Sequence, residues 1–100
     1  MPKLSFSVEH QLGQQEAVDR MKSFMPKIRE HYQGQLTDFE ESWEENELRF
    51  GFSTFGFKIK GQMAVEDTQV KLDLELPFAA MMFKGKIEQS IREPLERMLR

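Results

Sequence analysis

The chain has no cysteine, one tryptophan, one tyrosine and two histidines among 100 residues. Without cysteine there are no disulfides, no thiolate nucleophile and no cysteine-ligated zinc or iron–sulfur site, which fits a reducing compartment. Long apolar runs are also missing: no window approaches the roughly 18 residues that a membrane-spanning helix needs. The start, Met1-Pro2-Lys3-Leu4, lacks the apolar segment of a signal peptide, so a cytoplasmic location is expected. Six glycines and four prolines are scattered singly, which leaves no linker, and no fixed-period repeat is visible. Positive charge is not in excess either: the formal net charge of −3 argues against nucleic acid, whose phosphates are bound through Lys and Arg. What the chain does have is nine Phe and seven Met, enough apolar material for one core, so residues 1–100 are expected to form a single domain.

Leu4, Phe6 and Val8 alternate with polar residues, the period-2 pattern of a strand with one buried face. After Gly13, a permitted N-cap, Ala17, Met21, Phe24 and Ile28 follow at helical spacing and predict a helix over about Gln14 to Gln33. Pro26 is expected to kink or split it, and Gly34 to stop it. Strand patterns then return. Phe39 and Trp43 flank an acidic stretch, Glu45-Asn46 reads as a hairpin turn, and Leu48, Phe50 and Phe52 alternate with polar residues. Phe57, Ile59, Met63 and Val65 make the next strand, with Gly61 marking a bulge or a close backbone approach. Val70, Leu72, Leu74 and Leu76 give the cleanest alternation, ended by Pro77.

From Phe78 to Arg100 an amphipathic helix is expected, carrying Phe83, Ile87, Ile91, Leu95 and Met98 on one face, weakened at Gly85 and bent or broken near Pro94. The order strand, helix, four-strand meander, helix predicts an α+β fold: an antiparallel sheet of about five strands with both helices on one face, in a helix-grip-like arrangement. Glu41, Glu45, Arg49, Lys58, Lys60, Lys71, Asp73 and Glu75 are expected on the other, solvated face.

Candidates for chemistry are few. His10 lies just past the first strand and His31 near a helix end, where a cation suits the macrodipole; neither has a visible orienting partner. No nucleophile elbow, phosphate loop or zinc-protease motif is present, so no catalytic, cofactor-binding or metal-binding residue is assigned and no enzyme activity is expected. Six acids between Asp38 and Glu47 lack the spacing of a calcium loop, and on a strand they divide between two faces; a solvated hairpin that discourages edge pairing explains them. The doublets Lys58-Ile59-Lys60 and Lys84-Gly85-Lys86 suit contact with a phosphate or an anionic surface, and equally suit solubility.

The unusual stretch is Pro77-Phe78-Ala79-Ala80-Met81-Met82-Phe83. Successive residues of a helix turn by 100°, so one direction cannot bury all of them. Either neighbouring elements cover the surplus, or Phe78, Met81, Met82 and Phe83 form an apolar patch for a partner, a second subunit or a hydrophobic surface. A second candidate is a cavity between sheet and last helix lined by Phe50, Phe52, Phe57, Met63 and Leu74, set against the simpler role of those side chains in filling a small core.

His10-Gln11-Leu12-Gly13 followed by Glu16-Ala17 resembles the first strand-to-helix turn of the polyhydroxyalkanoic acid system family, the polyhydroxyalkanoate granule-region proteins. Leu72-x-Leu-x-Leu76 through Pro77, then Phe83-Lys84-Gly85-Lys86-Ile87-Glu88, resembles the family's final strand and the opening of its C-terminal helix. The resemblance implies a gammaproteobacterial type of source and genes beside those that make or use polyhydroxyalkanoate, a polyester stored in intracellular granules. It carries over no catalytic residue. The expected role is a non-enzymatic accessory protein, at the granule surface or on a granule protein. The alternatives are a small binding domain for an acyl or hydroxyacyl compound held between sheet and last helix, and a homodimer formed through a sheet edge or the apolar run.

Overall fold

The computed structural model describes residues 3–54 and 56–100. Five strands, β1 (Lys3–Glu9), β2 (Thr37–Glu44), β3 (Glu47–Thr54), β4 (Phe57–Val65) and β5 (Gln69–Glu75), form one antiparallel sheet in the order β1-β5-β4-β3-β2. The last four strands are the expected meander, and β1 adds to its free side. Its register against β5 sets Leu4 opposite Leu74, Phe6 opposite Leu72 and Val8 opposite Val70, so the apolar sets of both strands share a face. With neighbours on both sides, β5 is well buried: Val70, Leu72 and Leu74, and Leu76 just beyond its end, are all at most 1% exposed.

Two helices cover that face. α1 (Gln14–His31) crosses β4, and α2 (Lys84–Met98) lies along β1, where Arg92 donates to the Ser7 carbonyl and sits over the Phe6 ring. α1 buries Ala17, Val18, Met21 and Met25, and keeps Phe24 and Ile28 at the margin. The helix runs through Pro26 as one element, contrary to a split there. α2 likewise continues through Pro94. Each proline sits where a helix already held by its packed apolar face can lose one backbone bond without ending. Arg20 of α1 donates to the carbonyls of Met98 and Arg100, tying the start of one helix to the end of the other.

Gly61 is a close-approach glycine and not a bulge, since the ladders to β3 and β5 continue past it in register. A Cβ there would lie 2.6 Å from Phe50 Cζ and 2.7 Å from Leu74 Cδ2, so only glycine lets the Phe50 ring lean across β4. The register shift of the sheet falls instead between Thr37 and Glu40, beside Asp38, whose φ is +53°.

The face expected to meet water does so, except for two residues. Glu41 shares the parity of Phe39 and Trp43 and points to the helices, where Arg29 pairs with Oε1 at 3.1 Å and the Trp43 indole donates to Oε2 at 3.0 Å. A counter-charge supplied by α1 is what makes that position acceptable for a carboxylate. Glu45 lies in the two-residue β2–β3 turn, with φ +56°.

Candidate functional site

After Leu76, fully buried, Pro77 takes an extended conformation and cannot donate to a ladder, so the strand ends. The chain then winds into a 3₁₀ segment, Phe78–Phe83, before α2 begins at Lys84. The single α-helix expected from Phe78 onward is therefore two elements. Ala80, 2% exposed, is the inward anchor of the segment, and Met81 packs on the core beside it. Anchored through one methyl group and one flexible side chain, the segment leaves its other large residues outside: Phe78 is 83% exposed, Met82 85% and Phe83 54%. Helical spacing placed Phe83 both at the head of the buried stripe of α2 and in the candidate patch, and Met81 in the patch; in the structure Phe83 stays in the exposed set and Met81 leaves it. Phe78, Met82 and Phe83 form the apolar projection, against a background in which singly exposed apolar residues need no explanation.

The five residues considered as a cavity lining are packing residues. Met63 and Leu74 belong to the buried core, and Phe50, Phe52 and Phe57 pack against it. Phe52 stacks between Phe39 and Phe50 at centroid distances of 6.1 and 6.3 Å. An open groove of about 650 Å³ lies elsewhere, between the second half of α1 and α2, lined by Phe24, Ile28, His31, Tyr32 and Pro94 together with the charged Lys27, Glu30 and Arg97. Sequence spacing could not find it, because it depends on how far the two helices splay.

His10 is buried, 6% exposed, and both ring nitrogens are engaged. The Leu12 backbone N–H donates to Nδ1 at 3.2 Å, so the ring proton is on Nε2 and is donated to the Glu66 carbonyl, 2.9 Å away. Around it, Asp67 accepts from the backbone of Gln14, and the Gln14 and Asn46 amides both donate to the Val65 carbonyl. Gly13, with φ +81° and ψ 158°, makes the corner into α1. This cluster fastens three turns together. His31, the last residue of α1, is exposed and lies edge-on to Tyr32 at 4.8 Å. Among the described residues, no three His, Asp or Glu side chains gather in a way that suits a metal ion. No helix among them is long and apolar enough to cross a membrane.

Together these features define a two-layer α+β domain with a five-stranded antiparallel sheet, two helices on one face and an apolar projection where the sheet passes into the second helix. The chain belongs to a family of polyhydroxyalkanoic acid system proteins: the family model described as "Putative polyhydroxyalkanoic acid system protein" matches residues 4–99. No curated protein matches the sequence significantly. The match spans both stretches that carried the resemblance, the His10–Gly13 turn and the run from Leu72 to Glu88.

Proposed function

We propose that this protein is a non-enzymatic accessory of polyhydroxyalkanoate metabolism that docks on the storage granule, or on a protein of its surface, through Phe78, Met82 and Phe83. The observation that carries the reading is the outward projection of these three large apolar side chains from one short segment, in a chain whose family is tied to this polyester. Methionine and phenylalanine adapt to an apolar surface without needing a matched pocket. The non-enzymatic part is supported by His10, whose ring nitrogens are both committed to backbone groups. Purified protein mixed with isolated granules is expected to sediment with them, and the Phe78→Ser, Met82→Lys variant to stay in the supernatant. Equal partitioning of the two would overturn the proposal.

A second reading rests on the interhelical groove. Its apolar Phe24, Ile28 and Pro94, with two cations, Lys27 and Arg97, against one acid, Glu30, suit an acyl or hydroxyacyl carboxylate, with the tail against the apolar residues and the carboxylate at the cations. Titration with a 3-hydroxyalkanoate, followed by Tyr32 fluorescence, tests it: saturable binding lost in Lys27→Gln, Arg97→Gln supports the reading, and no saturable change removes it.

A further inference from the structure

The two lysine doublets lie on the surface. Lys58, Lys60, Lys84 and Lys86 are all exposed, and none forms an ion pair among the described residues. Their placement is not random. Lys60 pairs in register with Glu75, the last residue of β5, and Lys3 pairs with the same Glu75 from the other side. The 3₁₀ segment starts three residues after Glu75, and Lys84 and Lys86 lie in the first turn of α2 directly beyond Phe83. One end of the sheet therefore combines the apolar projection with the lysines.

The opposite end is acidic. The hairpin residues Glu44, Glu45 and Glu47 lie there, beside the β4–β5 turn with Glu66 and Asp67, as the bond from the Val65 N–H to the Asn46 carbonyl shows. Glu9 joins them through its pairing with Gln69. The Phe78 end of the sheet itself is mixed, with Glu40 and Glu75 beside Lys3 and Lys60, and the cations next to the apolar segment are Lys84 and Lys86 of α2. Within the roughly 8 Å over which charges act at physiological ionic strength, a surface meeting the Phe78 segment feels Lys84 and Lys86 and not the distant acidic hairpin.

We propose that this end seats on a layer of anionic phospholipid, with Phe78, Met82 and Phe83 inserted among the acyl chains, Lys84 and Lys86 at the head-group phosphates, and the acidic end turned away. The proposal builds on the docking role given above to the three apolar side chains and adds the charge of the surface they enter. An apolar tip with flanking lysines is the combination that distinguishes an anionic lipid surface from a neutral one: insertion supplies attraction to either, whereas each lysine close to an anionic layer strengthens binding about fivefold.

The test uses the full chain with three surfaces: vesicles of phosphatidylglycerol and phosphatidylcholine, vesicles of phosphatidylcholine alone, and bare polyhydroxyalkanoate particles. Binding to the phosphatidylglycerol vesicles is expected to be about 30-fold tighter than to phosphatidylcholine, to weaken with salt, and to fall by a similar factor in the Lys84→Gln, Lys86→Gln variant, two lysines at about fivefold each. That variant should keep the wild-type circular dichroism, since both side chains are exposed. Equal affinity for the two kinds of vesicle, or an unaffected lysine variant, overturns the proposal. If bare polyester is bound equally well and without salt dependence, the anionic-lipid inference falls while granule docking stands. If phosphatidylglycerol vesicles are bound and polyester-containing surfaces are not, the inference stands and the granule reading falls. Binding to none of the three overturns both.

Discussion

Where β1 runs into α1, the polar side chains are spent on backbone groups: His10 bridges Leu12 and Glu66, Asp67 receives the Gln14 N–H, and two side-chain amides converge on the Val65 carbonyl. Where β5 runs into α2, at the other end of the sheet, the chain turns on a proline, a buried alanine and a packed methionine, and Phe78 and Met82 are left more than four-fifths exposed. Both junctions carry the residues by which the chain resembles its family, yet they do opposite things with them. The first converts its side chains into backbone hydrogen bonds that hold three turns together. The second withholds its side chains from the fold. Family-like motifs therefore divide here into one that makes the structure and one that the structure presents.

The comparison is tested most severely at His10. Replacing it with Ala leaves the Leu12 N–H and the Glu66 carbonyl without partners in a buried site, at roughly 1–3 kcal/mol for each group left unpaired. A loss of about 3 kcal/mol is expected, lowering Tm on the order of 15 °C in a domain of this length, as read by thermal circular dichroism. A variant as stable as wild type would mean that the cluster does not hold the turns, and the contrast between the two ends would collapse.

Gly13→Ala comes next. The φ of +81° with ψ of 158° lies in a region that is essentially reserved for glycine, and a side chain there costs about 2 kcal/mol. The nearest atom to the added Cβ is Asp67 Oδ1 at 3.7 Å, so the cost is backbone strain and not a clash. Urea unfolding should show a lower midpoint with the slope unchanged; a changed slope would place the effect in the unfolded chain instead. Smaller again is Asp67→Ala, which removes the acceptor that caps the first turn of α1 from another loop and should cost roughly 0.5–1 kcal/mol in the same measurement. No change would assign that cap to water.

Much of the first junction and little of the second was legible in the sequence. The alternation of Leu4, Phe6 and Val8 and the capping position of Gly13 are local signals, and β1 and α1 formed where those patterns lay. What His10 does was not legible, because its partner Glu66 is 56 residues away and only the pairing of β1 with β5 brings the two turns together. At the second junction the apolar surplus of residues 78–83 was visible, but its division into covered and exposed members was not. A 3.6-residue period extended backward from α2 places Phe83 inside, whereas the chain forms a separate 3₁₀ segment over Phe78–Phe83 in which Phe83 is 54% exposed and Met81 packs on the core. Glu41 was misplaced for a related reason: its charge argued for solvent, while its parity with Phe39 and Trp43, and an Arg29 supplied from α1, decided for the helix side.

The last prediction is the smallest in stability and the one that most sharpens the contrast. Phe78→Ser and Met82→Lys remove side chains that are 83% and 85% exposed, so each should shift the unfolding free energy by less than about 0.5 kcal/mol, the usual range for surface substitutions. The measurement is a urea titration made on the same preparations used for granule partitioning. A stability loss of roughly 1 kcal/mol or more would show that the projection packs on the domain in solution, and any loss of granule binding would then reflect the fold. Unchanged stability together with lost partitioning separates the two junctions cleanly: the His10 end can be changed only at the expense of folding, and the Phe78 end only at the expense of what the protein touches.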